Sequence, residues 1–361
     1  MDTSTLSTAL HRAGPFATVL ADVSQEDEHG RHQHELRVRA AAERLAEQGA
    51  PADVVDLVTE RLDQSTDQPA PVGRIVIATP EGIVHDQVAL TRVDQPVATW
   101  GPLPDLAVWI AHQDATLPFV LALVDHEGGE VSLWESDLGR AEFTVSAGGN
   151  TENIHKKPTR GPGAVEIQRR TEDIWRRNAD EVATELTTVA REHGHRLVLL
   201  GGDPTSVALV RKALGDLPVP LVELPTGQRH PDGGDEALRA AIHELLAAEV
   251  TRRRTELAHR VEEGLGRGDT AVAGVDAVAE ALVRRQVETL VVDPAALSEV
   301  TLNPNDFPGL SVGAPDISRP VRADQALIAA AIATDAVATT LPSIAMHREP
   351  VAAILRWEQG A

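Results

Sequence analysis

Short apolar runs and stretches with apolar residues at three- and four-residue steps take turns along the chain, as strands and helices in alternation would. Gly14–Val23 (GPFATVLADV) predicts a buried strand. Glu35–Gln48 has helical periodicity and stops at Gly49-Ala50-Pro51, and Ala52–Leu62 resumes a helix, so the pair predicts a helical hairpin. Asp63–Pro71 is a polar, proline-containing linker. Arg74–Thr79 and Ile83–Leu90 flank Pro80-Glu81-Gly82 and predict a β-hairpin.

A second segment begins near Leu117. Phe119–Asp125, Glu130–Glu135 and Ala141–Ser146 predict an antiparallel meander, with Glu127-Gly128-Gly129 in its first turn. A Gly/Asn-rich and then basic loop runs from Ala147 to Gly163, and a long helix is expected to start near Ala164. On it Trp175, Ala179, Val182, Leu186 and Val189 share one face, and Gly194 is the stop. Arg196–Leu200 is a short strand, and Gly201-Gly202-Asp203-Pro204 turns it into a helix over Thr205–Leu214, with Asp203 as N-cap. Val219–Leu224 is a further strand.

The third segment opens with a charged helix, Glu236–Gly264, then a glycine-rich loop, Gly264–Gly268. Ala273–Arg284 predicts a helix, Val287–Val292 a buried strand, Pro320–Ala338 an alanine-rich helix and Val351–Leu355 a last apolar run. The expected fold is therefore α/β (α+β) in three domains. These are a mixed N-terminal domain over 1–115, a middle domain over 116–234 and an α/β C-terminal domain over 235–361.

Composition narrows the chemistry. With no cysteine, thiolate nucleophiles, iron–sulfur clusters and cysteine-bound zinc are excluded. No cofactor is expected. The opening residues lack a basic start followed by an apolar core, and no run approaches the roughly 18 apolar residues of a membrane helix. Cytoplasm is the expected compartment, with no membrane partner. The formal charge of −22 argues against a diffuse nucleic-acid binder. Within His155–Arg177, however, Lys156, Lys157, Arg160, Arg169, Arg170, Arg176 and Arg177 face Glu166, Glu172 and Asp173, a local excess of four positive charges.

That island carries a family resemblance. A meander, the string His155-Lys156-Lys157-Pro158-Thr159-Arg160-Gly161-Pro162-Gly163-Ala164, a long helix opening Val165-Glu166-Ile167-Gln168-Arg169-Arg170 and a βα unit with two glycines at its turn resemble the middle domain of the archaeal/eukaryotic class I release factors and Pelota. Ala281–Val292 (ALVRRQVETLVV) resembles a strand entry in that family's C-terminal domain. The chain looks most like the bacterial branch of the family, with its Balon-like hibernation factors, and its acidic, lysine-poor composition suits an actinobacterial protein.

Two departures shape what the resemblance implies. Release factors carry Gly-Gly-Gln before this helix, and here Gly161-Pro162-Gly163 stands in its place. Gly163 has no side chain to place a water, and Pro162 removes a backbone donor. An aimed donor contributes about 2.7–4 kcal/mol to such a reaction, so much of any hydrolytic rate is expected to be lost. The first segment also lacks an Asn-Ile-Lys-Ser string, so stop-codon reading is not implied. The resemblance then implies a non-catalytic hibernation or stress factor in the ribosomal A site. Its RNA contacts would come from Lys156, Lys157, Arg160, Gly161, Pro162, Gly163, Arg169 and Arg170, with ribosomal RNA, tRNA and elongation factor Tu as partners. The alternative is a peptidyl-tRNA hydrolase or tRNA-cleaving rescue enzyme, using the Gly163 N–H, Arg160 or Gln168; a repurposed scaffold is a third.

Rival sites are weaker. Gly148-Gly149-Asn150 reads as a strand-ending turn, and Gly201-Gly202-Asp203-Pro204 as a structural turn whose aspartate repels anions. His29, His32 and His34 lie in an acidic stretch expected to be a solvated loop, and Arg252, Arg253 and Arg254 are expected on a solvated helix face.

Overall fold

A computed structural model describes residues 10, 12, 14–25, 28–66, 68, 71–136, 141–149, 164–193, 197–215, 219–224, 235–313, 317 and 319–357; side chains at 28–29, 164–169 and 235 lie outside the description. The chain forms two compact units, residues 1–115 together with 250–361, and residues 116–249.

The first unit holds two four-stranded sheets. One has the order β3-β2-β1-β4, built from β1 (Phe16–Asp22), β2 (Gly73–Thr79), β3 (Gly82–Ala89) and β4 (Val97–Gly101), antiparallel throughout. One face takes the hairpin of α1 (Glu28–Glu47) and α2 (Ala52–Asp63), where Val38, Leu45, Val54 and Val58 meet Val19 and Val76. The other face, through Phe16, Leu20, Ile75 and Ile77, shares one core with Leu327, Ile328 and Ile332 from near the end of the chain. The second sheet has the order β10-β15-β11-β14, from β10 (Ala271–Ala273), β11 (Val287–Val292), β14 (Val337–Thr340) and β15 (Val351–Leu355); β11 and β14 are parallel. A two-stranded ribbon of β12 (Thr301–Leu302) and β13 (Val321–Arg322) leads into the helix α9 (Ala323–Ala333). From Ala323 to Ile332 every residue of α9 is buried; beyond Asp324 and Gln325 in its first turn the helix is apolar all round, as a fully buried helix requires.

Four aspartates pin this unit. Arg322 bridges Asp105, at 2.6 Å, and Asp324, both buried. Burial pushes the Asp105 carboxyl above its ordinary range, and Arg322 opposes that. Asp114 ends α3 (Ala107–Ala115) and accepts from the Thr339 hydroxyl and the Thr340 N–H at 2.9 and 2.8 Å. Asp293 caps α8 (Pro294–Leu297) and also accepts from the Ser343 N–H at 2.6 Å. Burial alone would raise the Asp293 carboxyl, but the hydrogen bonds from Ser343, Ala296 and Ala295 outweigh it and hold it below the ordinary range.

Several expectations need correcting. Pro320–Ala338 is split into β13, α9 and the start of β14, because Thr334 and Asp335, the latter at φ 56, close the helix. The glycine-rich stretch Gly264–Gly268 is not a loop up to its end: α6 (Asp235–Arg267) runs through it. Gly264 is where β10 packs against the helix; a Cβ there would meet Ala271 Cβ at 2.8 Å. The histidine stretch lies on α1, and His34 is buried with its Nε2 3.1 Å from Asp63.

The second unit is one five-stranded sheet, β7-β6-β5-β8-β9, from β5 (Phe119–Asp125), β6 (Gly128–Trp134), β7 (Phe143–Gly148), β8 (Leu197–Gly202) and β9 (Leu221–Glu223). The meander β5–β6–β7 is antiparallel, and β5, β8 and β9 are parallel. The helix α4 (Ala164–Glu192) sets Ala179, Val182, Leu186 and Val189 against Val120, Val131 and Leu133, and α5 (Pro204–Leu214) adds Val210. Among the described residues no helix is long and apolar enough to cross a membrane.

Candidate functional site

β7 ends at Gly148 and α4 begins at Ala164, so the predicted string immediately precedes, in sequence, a 29-residue helix. Lys156, Lys157, Arg160, Gly161, Pro162 and Gly163 lie outside the described residues, and so does the side chain of Arg169. Arg170 is exposed on the first turns of α4, and Arg176 and Arg177 follow on its solvent side. Arg176 is held to Asp173 at 3.2 Å, whereas Arg177 has no ionic partner among the described residues. The helix N-terminus adds its own partial positive charge at the same end.

The meander's far turn is built from glycine. Gly148 and Gly149 have φ of 82° and 105°, and the Gly149 N–H donates to the Glu127 carbonyl at 2.7 Å. This is the strand-ending turn expected for Gly148 and Gly149; Asn150 lies outside the described residues.

A polar cluster that sequence reasoning did not assemble sits at the C-terminal ends of β5 and β8. Asp203 caps α5, accepting from the Thr205 and Ser206 N–H groups at 2.9 and 3.0 Å. His126 approaches from the turn after β5, with Nδ1 3.2 Å from the Ser206 hydroxyl and Nε2 3.6 Å from Asp203. Its ring stacks on Trp175 of α4 at 4.0 Å, and Asn178 donates to the His126 carbonyl at 3.0 Å. The trio resembles a nucleophile set, but its geometry is that of a clamp. Ser206 is 3% exposed, its hydroxyl also reaches Asp203 at 3.3 Å, and the N-terminal amides that would hold an oxyanion are already taken by Asp203. The cluster fastens α4 and α5 to the sheet. Its signal in the sequence was the Asp203-Pro204 cap; His126 and Trp175, far apart in the chain, gave none.

Gly202 shows why this turn is glycine. At φ 135°, a Cβ would stand 1.9 Å from the Val124 carbonyl oxygen.

Residues 118–267 match the bacterial archaeo-eukaryotic release factor family 2. Two uncharacterized proteins of Mycobacterium tuberculosis, Rv2629 from strain H37Rv and MT2704 from strain CDC 1551, are each 28% identical over 357 residues, covering 95% of this chain and 94% of theirs. Among solved structures, the chain is similar to ribosome-bound archaeal Pelota with ABCE1, at 12% identity, 99% and 94% coverage and a TM-score of 0.41. It is also similar to S. cerevisiae Dom34, a translation termination-like factor, at 9% identity, 100% and 92% coverage and a TM-score of 0.39. Pelota of Archaeoglobus fulgidus gives 14% identity over 80% of each chain, with a TM-score of 0.33.

Proposed function

Through residues 118–267 the chain belongs to the bacterial branch of the archaeo-eukaryotic release-factor superfamily, and from that premise we propose that it is a ribosome-binding translation factor that occupies the A site without hydrolysing peptidyl-tRNA. The observation that carries the reading is the start of α4 at Ala164, directly behind Lys156–Gly163. Lys156, Lys157 and Arg160 meet RNA phosphate, Arg169 and Arg170 extend that contact along the helix, and Gly161–Gly163 lets backbone approach RNA closely. With glycine where the family's glutamine stands, the tip binds and does not cut. Dormancy or stress is the setting in which a factor that holds the A site without turnover serves the cell, and elongation factor Tu is the delivery partner of this reading.

Co-sedimentation with 70S ribosomes, including ribosomes from starved cells, tests it. Each phosphate contact removed lowers the salt slope by about 0.7–0.9, so changing Lys156, Lys157 and Arg160 together to glutamine is expected to flatten it by about 2–3. Failure to pellet at low salt overturns the proposal. Labelled peptidyl-tRNA on stalled ribosomes is expected to survive incubation with the protein. Turnover that disappears on changing Gly161–Gly163 would instead make it a hydrolase.

A further inference from the structure

We infer that the outer edge of β7, with the acidic side of α4 beside it, is a docking groove for an extended, lysine- or arginine-rich segment of a protein partner, which joins the sheet as an added strand.

The inference starts from how the sheet edges are finished. An unpaired edge strand offers a row of free N–H and C=O groups to any other chain, and proteins blunt such edges with charge, proline, bulges, short strands or a covering group. Among the described residues, the other edges of the three larger sheets are treated in these ways. On β4, the Gln48 side chain imitates a neighbouring strand, donating to the Ala98 carbonyl at 3.0 Å and accepting from the Trp100 N–H at 2.9 Å. On β14, Asp114 takes the Thr340 N–H. β3 carries a register shift and the charged Asp86, and β9 and β10 are three residues each.

Among the described residues β7 has none of these devices. Its six residues, Phe-Thr-Val-Ser-Ala-Gly, contain no charge and no proline, and the pairing with β6 runs unbroken from Phe143↔Leu133 to Gly148↔Gly128. The bond from Gly149 N–H to Glu127 fixes the phase of the ladder. In an antiparallel pair alternate residues share their backbone groups, so 143, 145 and 147 face β6, while Thr144, Ser146 and Gly148 turn theirs outward.

Outside that edge lies an open groove of about 480 Å³, lined by Ser146 and Gly148 on one side and Arg177, Asp180, Glu181 and Glu185 of α4 on the other. Three carboxylates against one guanidinium leave the wall negative, and among the described residues none of the four side chains has an ionic partner. An edge strand beside a helix, with the helix supplying side-chain specificity, is a geometry used to add a peptide strand. The wall selects the occupant. RNA phosphate is repelled, and a second copy of the chain joined edge to edge about a twofold axis would bring the same carboxylates together. A basic extended peptide satisfies both the backbone row and the wall.

The test uses the full chain and a fluorescein-labelled peptide of about ten residues alternating lysine and valine, with a glutamate–valine counterpart. Polarisation is expected to show binding of the basic peptide only, weakened about tenfold or more by Glu181→Lys with Glu185→Lys on the exposed helix face. Ser146→Pro, which removes an outward N–H, is expected to abolish binding. Because that change can disturb the strand, amide exchange by NMR on the unaltered chain gives the second readout. Thr144, Ser146 and Gly148 gain protection on peptide addition while 143, 145 and 147 do not change. Equal binding of the acidic peptide, uniform protection, a dimer in sedimentation, or protection of the outward amides before peptide is added would each overturn the inference.

Discussion

Replacing Arg322 with methionine keeps most of the side chain's bulk and deletes the positive charge that Asp105 and Asp324 share. Asp105 is 4% exposed and Asp324 0%, so both carboxylates would lose a partner they cannot replace with water. Breaking a buried pair in this way costs about 3–5 kcal/mol. Arg322 itself is 32% exposed, which argues for the lower end, about 3 kcal/mol, because water already shares part of its charge. That is about a 150-fold rise in the exchange rate of amides that open with the whole unit. The assay is native-state hydrogen exchange on peptides from α9, which reads this unit separately from residues 116–249. The pH dependence supplies an independent check. The Asp105 carboxyl is raised above its ordinary 3.8, with burial as the main cause, so the native state holds that proton more readily than the unfolded chain. Such a group contributes stability below 3.8 that is lost as pH rises through its folded value. Without Arg322 the carboxyl rises further, so the variant is expected to approach the unaltered protein near pH 4 and to differ most at pH 7. A cost under about 1 kcal/mol at pH 7, or a gap that is the same at both pH values, would refute the reasoning.

Gly202→Ala is expected to cost roughly 3 kcal/mol or more, from a forbidden contact with Val124 added to positive-φ strain, and to lower the melting temperature of residues 116–249. Gly149→Ala, at φ 105° with open space around its Cβ, carries the strain without the clash and is expected to cost about 1–2 kcal/mol in the same melt. Asp203→Ala removes the α5 cap and is expected to cost about 1–2 kcal/mol in urea denaturation, most of it restored by Asp203→Asn. Asp293 contributes stability above pH 3.8 that is lost as pH falls through its lowered folded value, so Asp293→Asn should flatten the acid limb of the stability curve.

Val351–Leu355, a continuous apolar run buried throughout, stands where the pattern puts it, because burial on both faces leaves nothing else for such a run to do, and Val287–Val292 is buried at every position but Glu288. The α4 stripe and the Asp203-Pro204 start of α5 were legible for the same local reasons. What escaped was decided by distant partners. Val97–Gly101 follows Pro96 and mixes threonine with tryptophan, and it is a strand because β1 pairs with it. The start of β14, Val337 and Ala338, hid at the end of an alanine-rich stretch until β11 paired with it, and Asp114 holds the strand's last residue. His34 reads as part of a charged, solvated run, yet a helix turns it inward against Asp63. Of the candidate site, the cationic island was legible as charge alone, whereas the clamp of His126, Trp175 and Ser206 joins residues up to 80 positions apart.

The single core that unites Phe16, Leu20, Ile75 and Ile77 with Leu327, Ile328 and Ile332 has a consequence for biosynthesis. A nascent chain emerges from its N-terminus, so one face of the first sheet waits for more than two hundred further residues before its apolar cover exists. The Arg322–Asp105 bridge, between residues 217 apart, closes only then. Residues 116–249 complete their own sheet in the interval, while the opening segment stays exposed to wrong partners. Chaperone dependence during translation should therefore concentrate on the first hundred residues, and a truncation at the far end should be felt at the beginning.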